Sequence, residues 1–120
     1  MTDIASDRLA HFRERLMAFV AERDWAKFHN PKNLAMALVA EAGELVAELQ
    51  WLTPEEADRL DAAKHEAVAM EIADVFIYLL ELCERLGIDP IDAAERKLAI
   101  NARRYPADKA RGSAAKYDEL

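Results

Sequence analysis

The chain has 120 residues, a formal charge of −7 and 52% hydrophobic residues. That length fits one domain with a modest core. The acidic balance argues against a general nucleic-acid surface, and no apolar run reaches the roughly 18 residues of a membrane span.

The first helix is expected to start near Ser6 or Asp7, both good N-caps. Leu9, Phe12, Leu16, Phe19 and Val20 follow its spacing. The run Asp24 to Asn30 breaks that period and predicts a loop. Asn30-Pro31 pairs an N-cap with Pro at the first helical position, so a second helix is expected from there to about Trp51. Thr53-Pro54-Glu55-Glu56 is a capping box opening a short segment to about Leu60. A long helix is expected from about Ala62 to Leu86, stopped by Gly87. Asp89-Pro90 starts the last helix and Pro106 ends it. The expected domain is therefore residues 1–106, an all-α bundle of four or five helices, with a polar tail over 107–120. Cys83, the single cysteine, excludes an intrachain disulfide and reads as a buried, inert thiol. The N-terminus lacks a signal peptide's apolar core, so a cytoplasmic location is expected.

Two pairs of carboxylates sit inside apolar runs. Glu41 and Glu44, and then Glu71 and Asp74, are each spaced i, i+3, which places both members on one helix face. Glu41 falls near the centre of the stripe formed by Leu34, Leu38, Leu45 and Leu49, where a carboxylate is costly unless paired or metal-bound. Four converging carboxylates would repel one another. A hard divalent cation relieves that, and oxygen-only ligands suit Mg²⁺ or Mn²⁺. The ordinary alternative is a solvated acidic face. A carboxylate-bridged iron bundle is disfavoured: the residues three after Glu44 and Asp74 are Ala47 and Ile77, not His. Tyr78, one turn beyond Asp74, can look into the same site. Trp25 and Trp51 are plain packing or base-stacking residues. His29 reads as a local loop cap rather than a catalyst, and the basic end Arg103-Arg104 with Lys97 as a solvated helix end or phosphate contacts.

The long helix is apolar around most of its circumference, through Ile72, Val75, Phe76, Leu79, Leu80, Leu82, Cys83 and Leu86. In so small a chain this predicts a homo-oligomer, dimer or tetramer, with Leu80 on the side away from Glu71 and Asp74.

With these residues in view, the chain resembles the MazG-like family of all-α nucleoside triphosphate pyrophosphohydrolases, closest to its dCTP pyrophosphatase branch. The family motif E-x-x-E, spacer, E-x-x-D is met by Glu41-x-x-Glu44 and Glu71-x-x-Asp74, which enclose 26 residues from Leu45 to Met70. The flanks agree too: Glu22-Arg23-Asp24-Trp25, Phe28-His29-x-Pro31-x-Asn33-Leu34, Gln50-Trp51, Ile77-Tyr78-Leu79 and Asn101-x-Arg103-Arg104-Tyr105-Pro106. Where relatives of this branch can carry a His on the first helix, this chain has Leu16.

The resemblance implies Mg²⁺-dependent hydrolysis of a nucleoside triphosphate, dCTP or a modified dCTP, to the monophosphate and pyrophosphate. Glu41, Glu44, Glu71 and Asp74 would be the metal ligands, and Glu41 or Glu44 the base that takes a water's proton. Trp25, His29, Trp51, Tyr78, Lys97, Asn101 and Arg104 would meet the substrate. The segment after Pro106 would close over a neighbour's nucleotide. A non-catalytic helical oligomer or nucleotide sensor with a carboxylate metal site is the alternative. Neither a nucleic-acid polymer nor a membrane is an expected partner.

Overall fold

The computed structural model describes residues 4–120, with side chains from Arg8 onward. Among the described residues there are six α-helices, one 3-10 turn and no strand: α1 Ile4–Glu22, α2 Pro31–Leu49, α3 Pro54–Ala57, α4 Ala62–Leu86, α5 Pro90–Arg104, α6 Ala107–Ala110 and the 3-10 turn Tyr117–Glu119. The all-α expectation holds. Helix α1 already runs at Ile4, so Ser6 and Asp7 lie inside it. Their expected capping side chains fall outside the described residues.

The helix boundaries follow from local chemistry. Asn30 Oδ1 accepts the Asn33 N–H at 2.9 Å, with Pro31 at the first turn of α2. That helix ends at Leu49, two residues short of Trp51. Thr53 and Glu56 exchange both capping-box bonds, at 2.9 and 3.1 Å. Hydrogen bonding to the Glu56 carboxyl from Thr53, its backbone N–H first and then its side chain, holds that carboxyl below its ordinary value. Asp61 caps α4 through the Lys64 N–H at 2.8 Å. Gly87 closes α4 at φ 67, a left-handed conformation that costs glycine no steric clash. Asp89 Oδ1 caps α5 by accepting from Ile91 and Asp92. Helix α5 stops before Pro106, and the Tyr105 N–H bonds back to the Asn101 carbonyl at 2.8 Å.

The chain divides into two compact units, Met1–Gly87 and Ile88–Leu120. In the first, α2 lies along α4 as the most extensive helix pair, and α1 packs on α4. Leu16 and Val20 of α1 meet Leu80 of α4 in the core, joined by Leu9, Phe12, Met17 and Ile77. Among the described residues Leu34 and Leu80 are the most deeply buried large side chains, each 1% exposed. Burial of one such leucine is worth about 1.5–3 kcal/mol. Cys83 is buried, as expected. Leu80 is part of the chain's own core. The large apolar residues of α4 left exposed are Met70, Ile72, Phe76, Leu79 and Leu86.

In the second unit the segment after Pro106 carries α6 and the 3-10 turn. Tyr117 meets Tyr105 edge to face at 6.1 Å, and the Arg104 guanidinium lies 4.8 Å from the Tyr117 ring. The tail therefore folds back on its own helix α5.

Candidate metal and nucleotide site

The pairing of α2 with α4 brings carboxylates together. Oxygens of Glu41, Glu71 and Asp74 all lie within 4.8 Å of one another. Glu41 and Glu71 are half-buried and Asp74 is exposed, so the group opens at the surface of the helix pair. Glu44 is exposed and stands outside this three-oxygen group, although its charge still acts on Glu71.

Glu71 is the strained member. One of its oxygens, Oε2, is buried without a hydrogen-bond partner. Its carboxyl is pushed above the ordinary 4.5, by burial first and then by the charges of Glu41, Asp74, Glu44 and Glu48. An orphaned carboxylate oxygen has given up water without gaining a partner, which is unfavourable. The donor set fits a hard divalent cation. Three carboxylate oxygens this close would together hold such a cation and be relieved of their mutual repulsion by it. Nearby, Lys64 donates to Glu48 at 3.0 Å, tying the start of α4 to α2 without neutralising the group itself.

A line of rings leads away from the carboxylates. Tyr78, one turn beyond Asp74, has its hydroxyl pKa raised by burial and then by Glu41, Glu81 and Asp74. The neutral hydroxyl is thus favoured. The His29 ring lies 6.4 Å from Tyr78, edge-on, and 6.1 Å from Trp25. Trp25 packs edge-on against Phe19 at 5.7 Å. Successive turns make this possible: the Trp25 N–H bonds to Val20 O, Phe28 N–H to Trp25 O and His29 N–H to Ala26 O. Asp24 supplies the left-handed residue at φ 55, and Lys27 pairs with it at 2.8 Å.

His29 Nδ1 lies 2.6 Å from Glu81 Oε1. Glu81 is 5% exposed and was missed as a site residue on sequence grounds. Its only signal is a place on the Glu71, Asp74, Tyr78 stripe of α4. The structure thus brings Trp25, His29 and Tyr78 into one chain of rings. Trp51 stands apart from burial, 87% exposed beyond the end of α2. Lys97, Asn101 and Arg104 all belong to α5 in the second unit. Leu16 is a core residue, 7% exposed.

The same region matches known proteins. The model of the MazG-like family matches residues 36–120. Human dCTP pyrophosphatase 1 is 47% identical over 104 residues, covering 85% of this chain and 61% of the relative. Its Bos taurus counterpart is 44% identical over the same length, with 85% and 62% coverage. The chain thus spans about three-fifths of the length of these curated relatives. A crystal structure of a pyrophosphatase from Archaeoglobus fulgidus superposes with a TM-score of 0.78 at 37% identity, covering 88% of this chain and 96% of that one. With a family match over most of the chain and relatives this similar, the protein belongs to the MazG-like family.

Proposed function

We propose that this protein hydrolyses a nucleoside triphosphate, dCTP or a 5-modified dCTP, to the monophosphate and pyrophosphate, with Mg²⁺ or Mn²⁺ as cofactor. The observation that carries this reading is the carboxylate group of Glu41, Glu71 and Asp74, with its orphaned Glu71 oxygen, in a chain this similar to dCTP pyrophosphatase 1.

Glu41, Glu71 and Asp74 would hold the cation, with Glu44 completing the set from one turn along α2. Bound there, a divalent cation would offset triphosphate charge and acidify a water. Glu41 or Glu44 takes the proton of the attacking water. Trp25, His29 and Tyr78 form a wall for the nucleoside. Trp51 adds a stacking face when a nucleotide or a second subunit covers it. Lys97, Asn101 and Arg104 would be the polar and phosphate contacts that the family resemblance implies. The exposed residues Ile72, Phe76 and Leu79 on α4 support a homo-oligomer as the working form.

The test is a panel of NTPs and dNTPs with Mg²⁺ and identification of the phosphate product. Pyrophosphate, with dCTP or a 5-modified dCTP as the best substrate, is the expected outcome. Orthophosphate points to a different hydrolase, and tight binding without turnover to a nucleotide sensor.

A further inference from the structure

Glu81 is the one buried charged side chain among the described residues, 5% exposed. It lies outside the carboxylate group, two turns further along α4 from Asp74. Met17, Val20, Ala26 and Leu34 line the same recess, with Glu84 and Arg85 beside them, so the surroundings mix apolar and charged groups. Burying a carboxylate there is expensive, and an apolar residue would join loop and helix at lower cost. The carboxylate therefore needs an explanation beyond packing.

Its partner supplies one. A carboxylate only accepts, so the 2.6 Å contact commits His29 Nδ1 to donating. Nε2 is then the ring's remaining polar atom for a ligand. The His29 side chain keeps 22% exposure, so the ring is reachable. It stands between Trp25 and Tyr78, inside the ring line that begins one turn from Asp74.

We propose that Glu81 is a positioning residue of the nucleotide pocket: its buried carboxylate anchors His29 through Nδ1, setting ring orientation and tautomer so that Nε2 meets the nucleoside. Glu81 acts through His29 and touches no substrate. This inference rests on the nucleotide reading of the site above.

The experiment compares wild type, Glu81→Ala, Glu81→Gln, His29→Ala and the Glu81/His29 double alanine variant. Two quantities are read: Kd for a dCTP analogue with a non-hydrolysable α,β bridge, and the KM and kcat for dCTP. Glu81→Ala should weaken binding about tenfold, carried in Kd and KM with kcat nearly unchanged. Glu81→Gln keeps an acceptor oxygen and should recover most of the loss. The double variant should bind no worse than His29→Ala alone, because the two residues act as one unit.

Losses that multiply in the double variant would overturn the proposal. So would a Glu81→Ala protein with a lower Tm and an unchanged Kd. Should the alanine variant fail to fold, ring ¹⁵N NMR of the wild type decides: a proton on His29 Nδ1 is expected, and an unprotonated Nδ1 refutes the anchor. A wild type that binds the analogue but releases no pyrophosphate would defeat the proposed activity while leaving the Glu81 comparison readable through Kd.

Discussion

Glu41 on α2 and Glu71 on α4 present carboxylate oxygens within 4.8 Å of each other, and Glu71 Oε2 is buried without a partner. Two like charges held this way destabilise the metal-free fold, and the helix pair keeps them in place because α2 and α4 are the most extensively packed elements.

The first consequence is a pH dependence of the metal-free protein. Glu71 has its folded pKa raised above 4.5, so the folded state holds that proton more tightly than the unfolded chain. Its stabilising contribution is complete below 4.5 and is lost as pH rises through the folded value. Thermal melts in chelator should therefore show Tm of the wild type falling relative to Glu71→Gln as pH rises above 4.5. Added Mg²⁺ should raise the wild-type Tm more than that of Glu71→Gln. Parallel pH profiles of the two proteins would count against the strained carboxylate.

Asp74→Asn should remove a charged ligand while keeping the helix. Losing a partner outside the ligand set already costs 10–100-fold in metal affinity or activity, so a direct ligand should cost about 100-fold or more in Mg²⁺-dependent turnover. The far-ultraviolet circular dichroism should stay helical. Glu44→Gln is the sharper comparison, because Glu44 stands outside the three-oxygen group. A comparable loss there places Glu44 in the working site, and near-normal turnover removes it.

The caps at Asn30 and Thr53 were legible in the sequence because each is a local exchange: Asn30 with Asn33, Thr53 with Glu56; the Asp61 cap of α4 was found only in the structure. The i, i+3 carboxylates were equally legible, since helix spacing alone puts them on one face. Glu81 was not. Its environment is set by a residue 52 positions away, His29, and periodicity carries no information about which loop returns to a helix. Whether Leu80 serves the fold or an assembly was open for a related reason: a helix apolar on most sides does not reveal which side α1 will cover. Trp51 follows the end of α2, where helical phase no longer constrains direction.

Base selectivity should favour pyrimidines. Stacking on Trp25 and Tyr78 tolerates any base, at about 1–3 kcal/mol per stack, so hydrogen bonds must discriminate. Leu16 has no polar group to offer and is buried with Val20 and Leu80. The kcat/KM for dCTP should thus exceed that for purine dNTPs by a modest factor. A clear purine preference would refute this assignment.

Assembly and folding separate on α4. Leu80→Asp should prevent folding, since Leu80 is 1% exposed in the core and even its truncation to Ala would cost about 2–5 kcal/mol. Ile72→Glu changes a side chain that is 52% exposed, so the helical fold should persist while the oligomer weakens. Light scattering checks this. A wild type that is active as a stable monomer of 13.5 kDa would overturn the interface argument.

The central claim is attack of water at the α-phosphorus of a nucleoside triphosphate. Turnover of dCTP with Mg²⁺ in ¹⁸O-water, followed by mass spectrometry of both products, tests it most directly. The account predicts one ¹⁸O in the monophosphate and unlabelled pyrophosphate. Label in pyrophosphate, or release of orthophosphate, would contradict it.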